Sequence, residues 1–296
     1  MRQSCKALVP AEDTQAISVR QARNDAHLVE LWLHGKPAST QKAYRADTTR
    51  FMRFTGDTPL HLVTLDHLQG FQDSLTHLAP ATQGRIVSAV KSLLTFGQEL
   101  GYLRFNVGRA VRLPKLKNTL AERILPETEV HRIIGLEPMP RNHAMLLIMY
   151  ASGGRVSEIA RLTWNDFQPN GDAGQVTLFG KGDKTRVVKL SELTWKQLCE
   201  YRGNVGGDQP VFPSRKKAGH LDPSQILRIV RQAAERAGIR LKVSPHWLRH
   251  AHASHAIDRH CPISLVQATL GHANASTTGK YIHARPEDSS ARYLGV

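Results

Sequence analysis

Four separated pieces in the second half of the chain carry side chains suited to work on a phosphate. In ASGGRVSEIARLTW, Gly153 and Gly154 permit a tight turn before Arg155, and Glu158 follows at i,i+3, where a carboxylate on the same helix face orients a guanidinium. By itself such a pair is more often a surface salt bridge. In GKGDKTRVV, Lys181 sits in a turn between two β-branched runs, and a titratable ammonium there hands a proton to a leaving oxygen as a guanidinium does not. Lys184 competes for that role in the same turn, and composition does not choose between them. The spacing of a P-loop and its following helix are both missing. SPHWLRHAHASHAIDRH begins a helix at Ser244-Pro245 and puts His246 and Arg249 on one face, able to point at one phosphate. LGHANASTTGKYIH supplies His272 and, nine residues later, Tyr281. Together these are the parts that move a phosphoryl group without a metal. Arginines neutralise the non-bridging oxygens, histidines donate to them or shuttle protons, a lysine protonates the leaving group and a tyrosine attacks.

A metal site competes for the histidines. His246, His250, His252, His255 and His260 crowd together, and His246 and His250 have the i,i+4 spacing of a zinc pair. No HExxH occurs, and no Asp, Glu or Cys stands close by in a metalloenzyme pattern, so the expectation is no metal and no cofactor.

The elements around these pieces must hold them against a polyanion. The 296 residues carry 40 Lys+Arg against 25 Asp+Glu, a net charge of +15. The excess is spread, with 16 basic and 9 acidic residues in 1–120 and 24 and 16 in 121–296. Two domains that both face a duplex explain such a spread better than a basic arm does. Cys5, Cys199 and Cys261 are far apart and odd in number, which excludes a disulfide framework and a zinc ribbon and fits a reducing cytoplasm. Neither a signal peptide nor a run of 18 apolar residues appears, so no membrane partner is expected.

Residues 20–112 read as a small all-helical bundle after an N-terminal extension, 1–19. Ser39 and Thr40 are candidate caps for a helix carrying Tyr44, Thr48, Phe51 and Met52. Leu65, Leu68, Phe71, Leu75 and Leu78 mark the next helix, and Ile86, Val90, Leu93, Leu94 and Leu100 a longer one stopped by Gly101. Lys42, Arg45, Arg50, Arg53, Arg85 and Lys91 lie among its polar positions as candidate DNA contacts; solvated faces are the plainer explanation of each. Residues 113–125 form a basic, proline-marked linker, with Arg112, Lys115 and Lys117 as further phosphate candidates. From 126 to 296 the chain reads as helical, apart from a hairpin made of QVTLF and TRVVKL and a loop over 210–220. The fold class expected is mainly α, a helical bundle plus an α-rich domain with a small β-hairpin or sheet.

Arg155, Lys181, His246-Trp247-Leu248-Arg249, His272 and Tyr281 in this order, with RVSEIARLTW after the first arginine, LGH around the late histidine and STT before the tyrosine, resemble the tyrosine recombinase (phage integrase) family. That group includes Xer-type recombinases, lambda-type integrases and Cre, and the resemblance spans nearly the whole chain. The helical first part, from TQKAYRADTTRFMRF, resembles the family's SAM-like core-binding domain. Gly154 and Gly279-Lys280 stand where apolar residues are more usual.

The resemblance implies site-specific cutting and rejoining of duplex DNA through a 3′-phosphotyrosine on Tyr281, with neither metal nor ATP. In it Arg155, Arg249 and His272 hold the phosphate, Lys181 is general acid, His246 assists the tyrosine's proton and Glu158 supports from behind. It further implies a dimer on each inverted-repeat site, a tetramer in synapsis, possible accessory DNA-bending proteins, and a bacterial or phage-type cytoplasmic setting. No arm-binding domain is evident before residue 20, which favours a simple-site enzyme. The last residues, with Tyr293, Leu294 and Val296, are expected to dock on a neighbouring protomer. A type IB topoisomerase and a DNA-binding protein without catalysis are the alternatives.

Overall fold

The structure, a computed structural model, describes residues 21–115, 119–180, 185–215, 219–271, 279 and 281. The chain divides into two units, Met1–Lys117 and Asn118–Val296.

In the first unit, local sequence sets each helix end. α1 (Asp25–Leu33) starts at Asn24, whose side chain accepts the backbone N–H of His27 at 2.8 Å. α2 (Ala38–Phe54) starts instead from the extended backbone of Pro37. Ser39 and Thr40, expected as caps, lie inside its first turn, and no side-chain cap forms. α3 (Leu65–Ser74) is capped reciprocally by Thr64 and His67. α4 (Pro80–Glu99) has proline at its first position and stops where expected, at Gly101, whose φ of 73° lets the Tyr102 N–H reach the carbonyl of Gly97 at 2.9 Å.

The stripe Ile86, Val90, Leu93 and Leu94 of α4 is buried with Leu28, Trp32, Phe51 and Phe71. Phe51 meets Phe71 edge to face at 5.0 Å, and Trp32 stacks on Tyr44 at 5.0 Å. Residues 106–112, at the end of the expected bundle, are tied to this unit. Asn106 accepts the Gly108 N–H at 2.9 Å, Lys91 Nζ donates to the Val111 carbonyl, and Gln72 donates to the Arg112 carbonyl at 3.1 Å.

The second unit contains α5 (Glu127–Gly135), α6 (Pro140–Ser152) and α7 (Val156–Ile159), then an antiparallel sheet of β1 (Phe167–Asn170), β2 (Ala173–Phe179) and β3 (Thr185–Leu190) in that order. α8 (Glu192–Arg202), α9 (Pro223–Arg236), α10 (Pro245–Asp258) and α11 (Ile263–Leu270) follow. The fold is therefore mainly α with a small sheet.

The hairpin of β2 and β3 matches the expectation, with Val176 opposite Val188 and Phe179 opposite Thr185. β1 departs from it, since FQPN contains a proline and no alternation. It is an edge strand, where a missing N–H is tolerated, and it returns into β2 through Gly171 at φ 63°. Met145, Leu146, Ile148 and Met149 of α6 are fully buried, and α6 packs against α8 and α10. Val176, Leu178, Val188 and Leu190 face the same core. Among the described residues no helix is long and apolar enough to cross a membrane.

Candidate active site

The last two carbonyls of α11 and the carbonyl of its cap each receive a different arginine. A helix end leaves its final carbonyls without intrahelical donors and carries partial negative charge. Here Arg186 Nε donates to Thr269 O at 2.6 Å, Arg249 Nη2 to Leu270 O at 2.7 Å, and Arg155 Nη2 to Gly271 O at 3.2 Å. Gly271 closes the helix in the left-handed conformation, φ 64°. The three arginines come from β3, from α10 and from the residue that opens α7.

Gly153 closes this arrangement from the other side. It ends α6 at φ 58°, and a Cβ on it would lie 2.7 Å from Leu270 Cδ2 and 2.9 Å from His252 Cδ2. Its carbonyl accepts the other end of the Arg249 fork, from Nη1 at 2.5 Å.

Glu158 joins two of the arginines. Its side chain is 2% exposed, accepts from Arg155 Nη1 at 2.9 Å and from the Arg155 backbone N–H at 2.8 Å, and takes a fork from Arg186 at 3.0 and 2.7 Å. Burial opposes the ionisation of Glu158, but the Arg186 and Arg155 hydrogen bonds and the Arg186 charge outweigh it and hold its pKa below the usual carboxylate value. Burial, and then the charges of Arg155 and Arg186, push the Arg249 pKa down to about 10, so Arg249 stays cationic at neutral pH.

Arg186 was missed in the sequence. Its signal was there in TRVVKL, where it is in phase with the inward-facing Val188 and Leu190, because an arginine on the core side of a strand needs a buried partner.

His246, Arg249 and His250 share one face of α10, at i, i+3 and i+4. Tyr281 is buried with Ile124, Ala253, Val266 and Leu270, and its hydroxyl lies 2.7 Å from His250 Nδ1. The hydroxyl is thus held by His250, which the sequence suggested only as half of a zinc pair. His246 stands 6.3 Å from His250, ring centre to ring centre. Burial raises the Tyr281 pKa, and the charge of Arg249 opposes the rise. His246 reaches solvent, yet protein crowds around it; that desolvation, then Arg249 and Arg155, lower its pKa.

The remaining histidines of α10 pack. His252 Nδ1 donates to Tyr150 O at 2.8 Å, and burial lowers its pKa. His255 Nε2 donates to Leu125 O at 3.0 Å, which leaves its Nδ1 to accept the Tyr150 hydroxyl at 2.9 Å. Burial pushes Tyr150 up to about 12. Among the described residues no group of three His, Cys, Asp or Glu is placed to hold a metal ion. Lys181, Lys184, His272, Lys117 and the C-terminal residues after Tyr281 lie outside the described residues.

The DNA-contact candidates separate into two kinds. Lys42, Arg45, Arg50 and Arg53 are exposed along one face of α2 and line an open groove with Gln41 and Thr49. Arg45 also pairs with exposed Glu30, Nη2 to Oε2 at 2.9 Å. Arg85 forks onto Asp47, a carboxylate only 5% exposed, and Lys91 is taken by the Val111 carbonyl. Arg112 and Lys115 are exposed.

With this geometry in hand, comparisons with known proteins are specific. Residues 123–288 match the sequence profile of the phage integrase family. The chain is 33% identical over 261 residues to the tyrosine recombinase XerC of Xylella fastidiosa strain M23, covering 84% of this chain and 87% of that one. It is 32% identical over 299 residues to the tyrosine recombinase XerD of Pseudomonas aeruginosa, covering 91% and 96%. Its fold is similar to that of a lambda integrase fragment solved as a dimer bound to a COC′ core site, with a TM-score of 0.72 at 16% identity over 90% of this chain and 95% of that one.

Proposed function

The chain belongs to the phage integrase family of tyrosine recombinases and is a site-specific DNA recombinase; from this premise we propose that Tyr281 attacks the scissile phosphate of duplex DNA. The product is a 3′-phosphotyrosine and a free 5′-hydroxyl. Attack by the 5′-hydroxyl of a partner strand then rejoins the backbone, and because one phosphate ester replaces another the exchange needs no external energy source. The observation that carries this reading is the convergence of Arg155 and Arg249 on the end of α11, beside the buried Tyr281.

Each guanidinium has five donors, so both keep N–H groups for the non-bridging oxygens, whose charge spreads in the transition state. Lys181, between β2 and β3 in the chain, is the general acid at the 5′ oxygen, and His272 donates to the phosphate. His246, expected to assist the proton of Tyr281, is assigned to the phosphate as well, because the Tyr281 hydroxyl bonds to His250. Glu158 and Arg186 fix the arginines from behind. Lys42, Arg45, Arg50, Arg53, Arg112 and Lys115 contact the phosphate backbone. Two protomers occupy one inverted-repeat site, and pairing of two sites assembles four, whose C-terminal residues dock on their neighbours. Accessory DNA-bending proteins assist where the sites need bending, and the reaction takes place on DNA in the cytoplasm.

Covalent capture tests this reading. A duplex library with a randomised core is incubated with the full-length chain, and DNA that survives protein denaturation as an adduct is sequenced to define the site. Tyr281→Phe binds that site with unchanged affinity and forms no adduct, because only the attacking oxygen is gone. An adduct that persists in Tyr281→Phe refutes the assignment. Relaxation of supercoils without exchange between two sites identifies a topoisomerase instead, and binding without any adduct identifies a DNA-binding protein.

A further inference from the structure

The Tyr281 hydroxyl and His250 Nδ1 meet at 2.7 Å, and the two rings lie 5.7 Å apart, tilted by 48°. The contact is a hydrogen bond between the phenol and a ring nitrogen, not a stacking of the two rings. His250 follows Arg249 directly, so the same helical turn that presents a phosphate-neutralising guanidinium presents this nitrogen to the phenol. We infer that His250 is a catalytic residue of this chain, the base that takes the phenolic proton of Tyr281 during attack. The inference rests on the reading of Tyr281 as the nucleophile.

The chemistry requires such a group. A phenol with a pKa of about 10 is ionised to roughly a thousandth at neutral pH. Burial of Tyr281 raises that barrier further. A neutral imidazole accepts a proton along a bond already made, here from the phenol to Nδ1 at 2.7 Å. His250, not His246, holds the phenol, and the His246 ring stands 6.3 Å from that of His250.

The step balances. With its own hydrogen on Nε2, His250 accepts the phenolic proton at Nδ1 as the Tyr281 oxygen forms its bond to phosphorus. The bond from phosphorus to the 5′ oxygen breaks, and that oxygen takes a proton from the general acid. In rejoining, the 5′-hydroxyl attacks the phosphotyrosine and gives its proton back to the deprotonated general acid, while the His250 imidazolium returns its proton to the departing phenolate. Positioning alone would use the hydrogen bond; catalysis also uses the basicity of the nitrogen, and a glutamine separates the two. Its carbonyl oxygen accepts a hydrogen bond from the phenol and holds it, but does not take the proton.

The test is single-turnover cleavage by the full-length chain on the captured site, using His250→Gln, His250→Ala and His246→Ala. Each is made with tyrosine and, by site-specific incorporation, with difluorotyrosine at position 281, whose phenol is more acidic. His250→Gln is expected to bind DNA as the parent does and to cleave about 100-fold more slowly, or worse, the usual contribution of a general base. The acidified phenol recovers most of that loss in His250→Gln and in His250→Ala, and gives no comparable recovery in His246→Ala. In the otherwise unaltered chain, where His250 already removes the proton, difluorotyrosine brings no acceleration. This last measurement stands even if both His250 variants fail to fold.

Cleavage by His250→Gln at the parent rate overturns the inference. So does a slow His250→Gln that the acidified phenol leaves slow, or an unaltered chain that difluorotyrosine accelerates. Absence of any adduct with the unaltered chain overturns the nucleophile reading and this inference with it. An adduct with the unaltered chain and an indifferent His250→Gln overturns this inference alone.

Discussion

Glu158→Gln removes one charge from the centre of the arginine cluster while keeping the side chain's shape. Oε1 accepts from Arg155 Nη1 at 2.9 Å and Arg186 Nη1 at 3.0 Å; Oε2 accepts from the Arg155 backbone N–H at 2.8 Å and Arg186 Nη2 at 2.7 Å. An amide keeps one oxygen and turns the other into NH2, so two of these four contacts become donor against donor. Two guanidiniums also lose their counter-charge where the glutamate side chain is 2% exposed and that of Arg186 is 11% exposed.

Breaking a buried pair by neutralising one partner costs about 3–5 kcal/mol. Arg155 is 37% exposed and regains hydration, which places the expected loss at the lower end, about 3 kcal/mol. Urea unfolding of the full-length chain reads this loss, and its pH dependence checks the cause. Because the folded-state pKa of Glu158 is depressed, its contribution is fully present above the ordinary value of 4.5 and is lost as pH falls through the folded value. The gap between parent and variant is therefore constant near neutral pH and closes in acid below about 4.5. Cleavage falls about 100-fold, the effect of ångström-scale misplacement of a group that holds the reacting centre. A gap under about 1 kcal/mol at neutral pH, or one that persists into acid, refutes Glu158 as the charged hub.

Two further outcomes follow from the same geometry. Gly153→Ala forces a Cβ into contacts of 2.7 and 2.9 Å at a left-handed φ, so it is expected to cost about 2 kcal/mol or more in urea unfolding and to slow cleavage by moving the carbonyl that holds Arg249; a neutral substitution shows that α6 and α11 yield easily. Arg85→Ala strands the Asp47 carboxylate and is expected to lower stability by about 1–3 kcal/mol, whereas Arg53→Ala leaves stability within about 0.5 kcal/mol and reduces the slope of log affinity against log salt by about 0.9. The opposite assignment of effects, with Arg85 setting the salt slope and Arg53 the stability, shows that the two arginines have been given each other's roles.

Whatever depends on residues close together along the chain is legible in the sequence alone. The i,i+3 spacing of His246 and Arg249 and of Arg155 and Glu158 places each pair on one helical turn, and the alternation of QVTLF and TRVVKL gives the hairpin, because helical and strand periods are local properties of the chain. Gly101 stops α4 for the same kind of reason, a positive φ that glycine adopts without cost. Even β1 and the entry to α2 depart from expectation only locally, where an edge strand tolerates proline and where Pro37 takes over from the cap expected at Ser39 and Thr40.

The order of the reactive residues marked the family, but no period relates Arg155, Arg186 and Arg249 to the carbonyls of Gly271, Thr269 and Leu270, which lie 116, 83 and 21 residues from their respective donors. Those bonds exist because β3, α10 and the residue that opens α7 come together around the end of α11, which brings unsatisfied carbonyls within reach of side chains that bear only donors. His250 and Tyr281 are likewise 31 residues apart and form a pair only because Val266 and Leu270 bury the phenol against α10. The sequence by itself determined which chemical groups the chain carries and which of them share a turn. Which histidine holds the tyrosine, and which arginines are spent on the protein rather than on DNA, was decided by tertiary packing, since both depend on distances that close only when the core does.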